Sequence, residues 1–303
     1  MTIAATLHRV ADAVTRRLAP PAEPAVPAVL RIATGAYHLW HVGRKRSMYR
    51  GVHRTDPANF DPVGVVRVLR KPLPPRVADA FVDASLATGA LFTAGVAHRV
   101  IGPLHSALQT WNFSYRNSWS MVFHHENNLV LHTMVLATAP SADALSVDAV
   151  IRDGTLLPER RSWMYGAAPS VMNAAVTLTY LIAGIAKFTG GDGASWADGT
   201  HMRGQIAVDT LRKEKLGEPG SDLAASLYPH AGLFTVMGVT ALVIELGAPL
   251  ALVDRRLGYL FALAAHAMHW GITVIMRITF PYNLSGVLYL PMWVMPPPAP
   301  PQP

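Results

Sequence analysis

The chain has no cysteine. A disulfide framework, a thiolate nucleophile and a cysteine-held metal are therefore all excluded. Charge is also scarce. Asp, Glu, Lys and Arg make up 15% of the 303 residues, where a soluble domain carries roughly 25%. The shortfall is concentrated in runs. Residues 162–186, 223–244, 257–276 and 278–303 hold none of the four. A bilayer core needs roughly 20 mostly apolar residues per helix. These runs predict a polytopic membrane protein.

Acid is scarcer than base, which leaves a net charge of +7. In a membrane protein that excess reads as basic loops facing anionic lipid, and no nucleic-acid partner is expected. The opening residues MTIAATLHRVADAVTRRLAP lack the apolar core of a signal peptide. Their apolar residues recur at helical spacing among His8, Arg9, Arg16 and Arg17, as in an interfacial amphipathic helix.

The expected fold is all-α: a polytopic integral-membrane helix bundle of about six to seven spans. Residues 1–20 form the interfacial helix, 21–292 the membrane domain and 293–303 a proline-rich tail. Spans are expected near 28–43, 80–101, 118–139, 165–188, 231–253 and 257–278, with a further apolar segment at 284–296. The segment 44–76 carries Arg44, Lys45, Arg46, Arg50, Arg54, Arg67, Arg70, Lys71 and Arg76 against Asp56 and Asp61. The positive-inside rule places it in the cytoplasm. Alternating spans then put the turn 254–256 on the same side and 189–230 outside. Trp111, Trp119, Trp196, Tyr115 and Tyr282 are expected as aromatic anchors at the interfaces.

Against this apolar background, FHHENNLVLH at 123–132 is the anomaly. On a helix, His125, Asn128 and His132 share a stripe, His124 lies a turn from Asn128, and Glu126 points toward another helix. A charge at mid-bilayer costs about 2.5–3.5 kcal/mol, so the stripe should face the bundle interior. Lys187 ends a long uncharged run. It either snorkels to the interface or sits in an apolar pocket, where desolvation makes its neutral amine available as a base. Glu245 is alone in its span and needs a partner, for which a histidine from another span is expected. Gly184 allows a neighbouring helix to approach. His266 and His269 are one turn apart. Counting spans places His125, Lys187, Glu245, His266 and His269 in the outer half of the membrane. A metal held by His125, His132, His266, His269 and Glu245 is chemically open, though no spacing singles it out.

Several strings carry a family likeness: FHHENNLVLHTMVLATAPSADALSVDA at 123–149, YLIAGIAKFTGG with WADG at 180–199, ELGAPLALVDRR at 245–256, and HAMH with ITFPYNLSGVLYL at 266–290. In order and spacing they resemble the HTTM family, which includes the membrane domain of the vitamin K-dependent gamma-glutamyl carboxylases. The likeness runs over roughly 30–290. It implies that Lys187 is the base that deprotonates a vitamin K-like hydroquinone. It also implies that His125 stabilises developing negative charge and that His266 is a further catalytic residue. His124, Asn128, His132, Glu245 and His269 would line the substrate site. A reduced quinone would be the cofactor, and membrane lipid and a protein or peptide substrate the partners. The activity expected is that of a carboxylase-like lyase or ligase, or of a quinone-dependent membrane enzyme. The alternative is a non-enzymatic proton or small-molecule carrier, or an accessory subunit of a membrane complex.

Overall fold

The computed structural model describes residues 15, 17–119 and 121–297. Most of the expected amphipathic helix at 1–20 and the end of the 293–303 tail lie outside them. Every regular element among the described residues is helical. Extended pairing is limited to one isolated bridge between Ala22 and Ser162. The chain divides into two units, Met1–Met172 with Val294–Pro303, and Asn173–Trp293.

The first unit is built mainly on α1 (Ala25–Arg44), α2 (Pro75–Ala94), α3 (His98–Asn117) and α4 (Asn127–Thr138), with shorter helices between and after them. Contacts between consecutive helices reverse in register. His38 of α1 meets Ser85 and Arg50 meets Asp79. Thr88 of α2 meets His105, and the Phe81 carbonyl accepts from Asn112 of α3. The helices therefore run up, down, up, down. One expected span is shifted to Pro75–Ala94 here and a second is replaced. The one over 80–101 is cut because Gly95 ends α2 in the left-handed region, at φ 66°, which a residue without Cβ adopts freely. The Asp148 carboxylate then starts α3 by accepting from Ala97 N and His98 N, both at 2.8 Å. The one over 118–139 is replaced by a turn and the 12-residue α4. At 1.5 Å per residue α4 spans about 18 Å, short of a bilayer core of about 30 Å.

Helix α3 reads as too polar to span, and its burial explains why. Its polar residues His98, His105, Gln109, Asn112 and Arg116 are buried, whereas Val100 and Leu104 are exposed. In α1, Arg31, Thr34, His38 and His41 are buried while Val29 and Trp40 are exposed. Polar residues inside and apolar ones outside suit a bundle with oil for solvent.

The segment after α1 folds back over one end of this unit. Val66, Ala78, Tyr115 and Trp119 form a buried cluster flanked by Phe60, Leu69 and Trp111. Asp61 N donates to Ser118 O at 2.8 Å and Val63 N to Ser118 Oγ at 3.1 Å. Ser118 thus sits at the end that carries the basic segment. The span count expects the two on opposite sides of the membrane. Trp119, Tyr115 and Tyr282 are buried, so they are packing residues and not interface anchors.

Helix α5 (Trp163–Lys187) leads into the second unit, which holds α6 (Thr200–Lys215), α7 (Ala231–Gly247) and α8 (Arg255–Met276). The Asp254 carboxylate starts α8 by accepting from Arg256 N at 2.7 Å, as N-cap residues do. The expected loop at 189–230 contains α6 and shorter helices. Ile206 of α6 packs there with Ala224 and Phe234. The apolar segment at 284–296 is broken into short turns of helix, Pro281–Leu284, Val287–Tyr289 and Leu290–Val294. Gly286, at φ 76°, separates the first two.

Among the described residues, four helical stretches are long and apolar enough to cross a membrane: Pro75–Ala94, Trp163–Gly190, Ala231–Leu252 and Arg255–Met276. The fold is that of a helical membrane protein.

Candidate functional site

The residues expected to form one site fall into the two units. His124, His125, Asn128 and His132 belong to the first, and Lys187, Glu245, His266 and His269 to the second.

In the first unit the FHHENNLVLH stretch is anchored by Glu126. His124–Glu126 is one short 3₁₀ turn ahead of α4. His124 is exposed and His125 half-buried, while Glu126, Asn128 and His132 are buried. Glu126 does point away from the stripe, toward two other helices. Arg116 Nη1 and Nη2 donate to its two oxygens at 3.0 and 2.7 Å. His41 Nε2 lies 2.8 Å from Oε1, and Tyr49 OH donates to the same oxygen at 3.4 Å. Asn117 Oδ1 accepts from Arg116 Nη2 at 2.9 Å and from Phe123 N at 3.2 Å, which pins the turn. The Phe123 ring covers the guanidinium at 4.3 Å. Arg116 lies in the last turn of α3, where the helix dipole favours a cation. Both charges are thus paired and hydrogen-bonded, which is what makes their burial tolerable.

In the second unit the carboxylate partner of Lys187 is Glu245. Nζ lies 2.6 and 2.5 Å from Oε1 and Oε2, with side chains 16% and 10% exposed. The histidine expected to pair with Glu245 is therefore replaced by this lysine. Its amine is held by a carboxylate, neither snorkelled to water nor isolated in an apolar pocket. Gly184 makes the pairing possible. A Cβ there would come within 2.9 Å of Leu246 and 3.0 Å of Glu245, so its absence lets α7 reach α5. Lys187 Nζ also sits over the Trp196 ring at 4.8 Å, an additional attraction for a cation.

Tyr180 lies two turns before Lys187 on α5, on the face that Gly184 shares. Its hydroxyl is 2.7 Å from Tyr289 OH and 3.3 Å from His269 Nδ1. Asn283 binds both expected histidines. Its side-chain Nδ2 is 3.1 Å from His269 Nε2, and its carbonyl is 3.0 Å from His266 Nδ1. Trp270 Nε1 donates to His266 Nε2 at 3.0 Å. With one nitrogen donating to a carbonyl and the other accepting, His266 is assigned as the neutral Nδ1–H tautomer. His269 receives the same assignment, because Nδ1 faces Ala265 O at 2.8 Å. Burial pushes the Tyr289 hydroxyl up to about 12, so it stays a donor.

Arg116, His41, Tyr49, Tyr180, Asn283 and Tyr289 are the polar participants that the sequence reading passed over. Polar residues spaced at 31, 34, 38, 41 and at 98, 105, 109, 116 are the signal that would have found the first-unit set. No such spacing marks Asn283. Among the described residues no group of three or more His, Asp or Glu is arranged to hold a metal ion. Comparison with protein-family models, with curated proteins and with solved structures finds no match.

Proposed function

We propose that this chain is an integral-membrane enzyme of the carboxylase-like kind, acting on a quinol or another lipid-like hydroxyl compound. The single observation that carries this reading is the Lys187–Glu245 pair, a half-buried amine held bidentate by a buried carboxylate at 2.5–2.6 Å. The resemblance that marks Lys187 as a base is its second support.

The pair supplies a route to a neutral amine. In a low-dielectric setting, separated charges are costly, and passing one proton from Nζ to Glu245 removes both charges at once. The resulting amine accepts the proton of a substrate O–H. This leaves an oxyanion beside Lys187 ammonium, with the Trp196 face helping to hold the cation. Glu245 then recovers its charge by returning its proton to the outgoing product. His266 and His269, held by Asn283, fix the Tyr180–Tyr289 hydroxyl pair, which offers its hydroxyls for orienting a polar substrate head. His124, His125, Asn128 and His132 lie in the other unit, and the reading does not depend on them.

The same reading takes α1 and α3 as further membrane crossings beside α2, their polar faces turned inward. Six long helices then cross, with α4 as a short seventh.

The test is purification with native lipid followed by identification of bound quinone, then turnover of added vitamin K hydroquinone. Lys187→Ala is expected to lose turnover while the protein stays folded. Equal activity in that variant overturns the assignment.

A further inference from the structure

The first unit holds a line of histidines that the proposed chemistry does not use. His41 Nε2 is hydrogen-bonded to Glu126 at the end where the basic segment packs. His38 follows one turn earlier on α1, and its ring meets that of His105 of α3, with centroids 4.7 Å apart. His38 Nδ1 is 2.9 Å from Gln109 and its Nε2 is 3.3 Å from Ser85 Oγ. His105 Nδ1 faces Thr88 Oγ1 at 3.3 Å. His98 lies two turns before His105 on α3, and its Nε2 faces Ser141 Oγ and the carbonyls of Leu136 and Ala139. All four rings are buried.

A structural hydrogen-bond network would satisfy each buried polar atom. This one does not. His98 Nδ1, His105 Nε2 and Gln109 Oε1 are buried with no protein partner among the described residues. They lie along the same line. Between His98 and His105 stands Phe92, fully buried, with ring centroids 5.7 and 5.1 Å from theirs.

We propose that the first unit carries protons along this file, from Glu126 through His41, His38 and His105 to His98, with Phe92 as the gate. At each imidazole a proton binds one ring nitrogen and the N–H proton on the other leaves, so no electron moves and no group is transferred. The ring resets by tautomer exchange or rotation. Steps too long for direct contact pass through water held by the open ring nitrogens, which are the polar anchors such water requires. The other charged or titratable groups buried in the bundle are engaged or lie beside the path. Arg116 is held by Glu126, and Asp79 by Arg50, Arg54 and His53. Arg31 donates to the Leu145 carbonyl at 2.6 Å, and His132 of α4 is buried. Gly89 keeps the central pair close. A Cβ there would come within 3.0 Å of His38 and 3.1 Å of His105.

The test uses the full chain in lipid vesicles with a trapped pH dye and a potassium gradient clamped by valinomycin. No quinol is added, so the result is separate from the proposed enzyme chemistry. Wild-type vesicles should acidify faster than protein-free ones. His38→Leu and His105→Leu should each slow that flux on the order of tenfold, since a proton carrier is then missing from hydrogen-bond reach. Phe92→Ala should raise proton flux without raising chloride permeability. Wild-type flux equal to protein-free vesicles overturns the proposal, as does undiminished flux in both histidine variants. If the histidine variants do not fold, Phe92→Ala decides: a proton-specific rise supports the file, and no rise overturns it.

Discussion

Arg116 and Glu126 face each other through two hydrogen bonds of 3.0 and 2.7 Å, with side chains 5% and 3% exposed. The pair fastens the turn after α3 back onto α3, and His41 of α1 joins it at Glu126. Removing one partner strands a buried charge, which costs about 3–5 kcal/mol. Arg116→Leu and Glu126→Leu should each destabilise the protein by that much. The double variant should lose less than the sum, as coupled sites do. Unfolding in detergent for all four proteins measures the coupling, and strictly additive losses would show that the pair contributes nothing.

The placement of Ser118 against Asp61 and Val63 puts the 118–126 turn at the basic end of the first unit. With no native cysteine to mask, single-cysteine labelling reads this directly. In intact cells, His124→Cys and Arg67→Cys should both resist a membrane-impermeant maleimide, and both should react after the cytoplasmic face is opened. Opposite behaviour at the two positions would restore the span count that the sequence suggested.

Two glycines should respond with opposite sign to the same substitution. Gly43 in α1 has open space where a Cβ would stand, so Gly43→Ala should stabilise by about 0.5–1 kcal/mol through helix propensity. Gly89 has His38 and His105 at 3.0 and 3.1 Å from that position. Gly89→Ala should destabilise by about 1–3 kcal/mol, as overpacking does. Thermal unfolding of the two variants checks the contrast.

His53 lies in the segment between α1 and α2, and burial lowers its pKa below 6.5. The unfolded chain then binds more protons than the folded one across the window between the two values. Stability therefore falls as pH drops through and below 6.5, and is full above it. His53→Gln should flatten that dependence between about pH 7 and 5. Equal pH profiles for the two proteins would show that His53 carries none of it.

Helices α5, α7 and α8 were legible in the sequence because their outward faces are apolar and the polar residues they bury are mostly uncharged, such as Ser170, Asn173, Thr177 and His269, which leaves long runs without Asp, Glu, Lys or Arg. Helix α3 was not. Its buried face holds His98, His105, Gln109 and Arg116, so mean hydropathy treats it as a loop although Val100 and Leu104 face outward. The restart of the chain as α3 after Gly95 depends on Asp148, some fifty residues away, and no local signal reports that. At the candidate site, Glu126 reaching another helix and Gly184 admitting a neighbour were both readable from helix geometry. The choice of Lys187 over a histidine for Glu245 was not, since it depends on which two helices meet.

The proton-accepting role proposed for Lys187 is tested most directly by the absorbance of vitamin K hydroquinone added without oxygen to the purified protein in lipid nanodiscs. Transfer of the hydroxyl proton to Lys187 should convert bound quinol to its anion and shift the absorbance to longer wavelength. Lys187→Ala should abolish the shift, while Glu245→Gln should keep binding but weaken it. A shift of equal size in Lys187→Ala, or none in the wild type with quinol bound, would contradict the account.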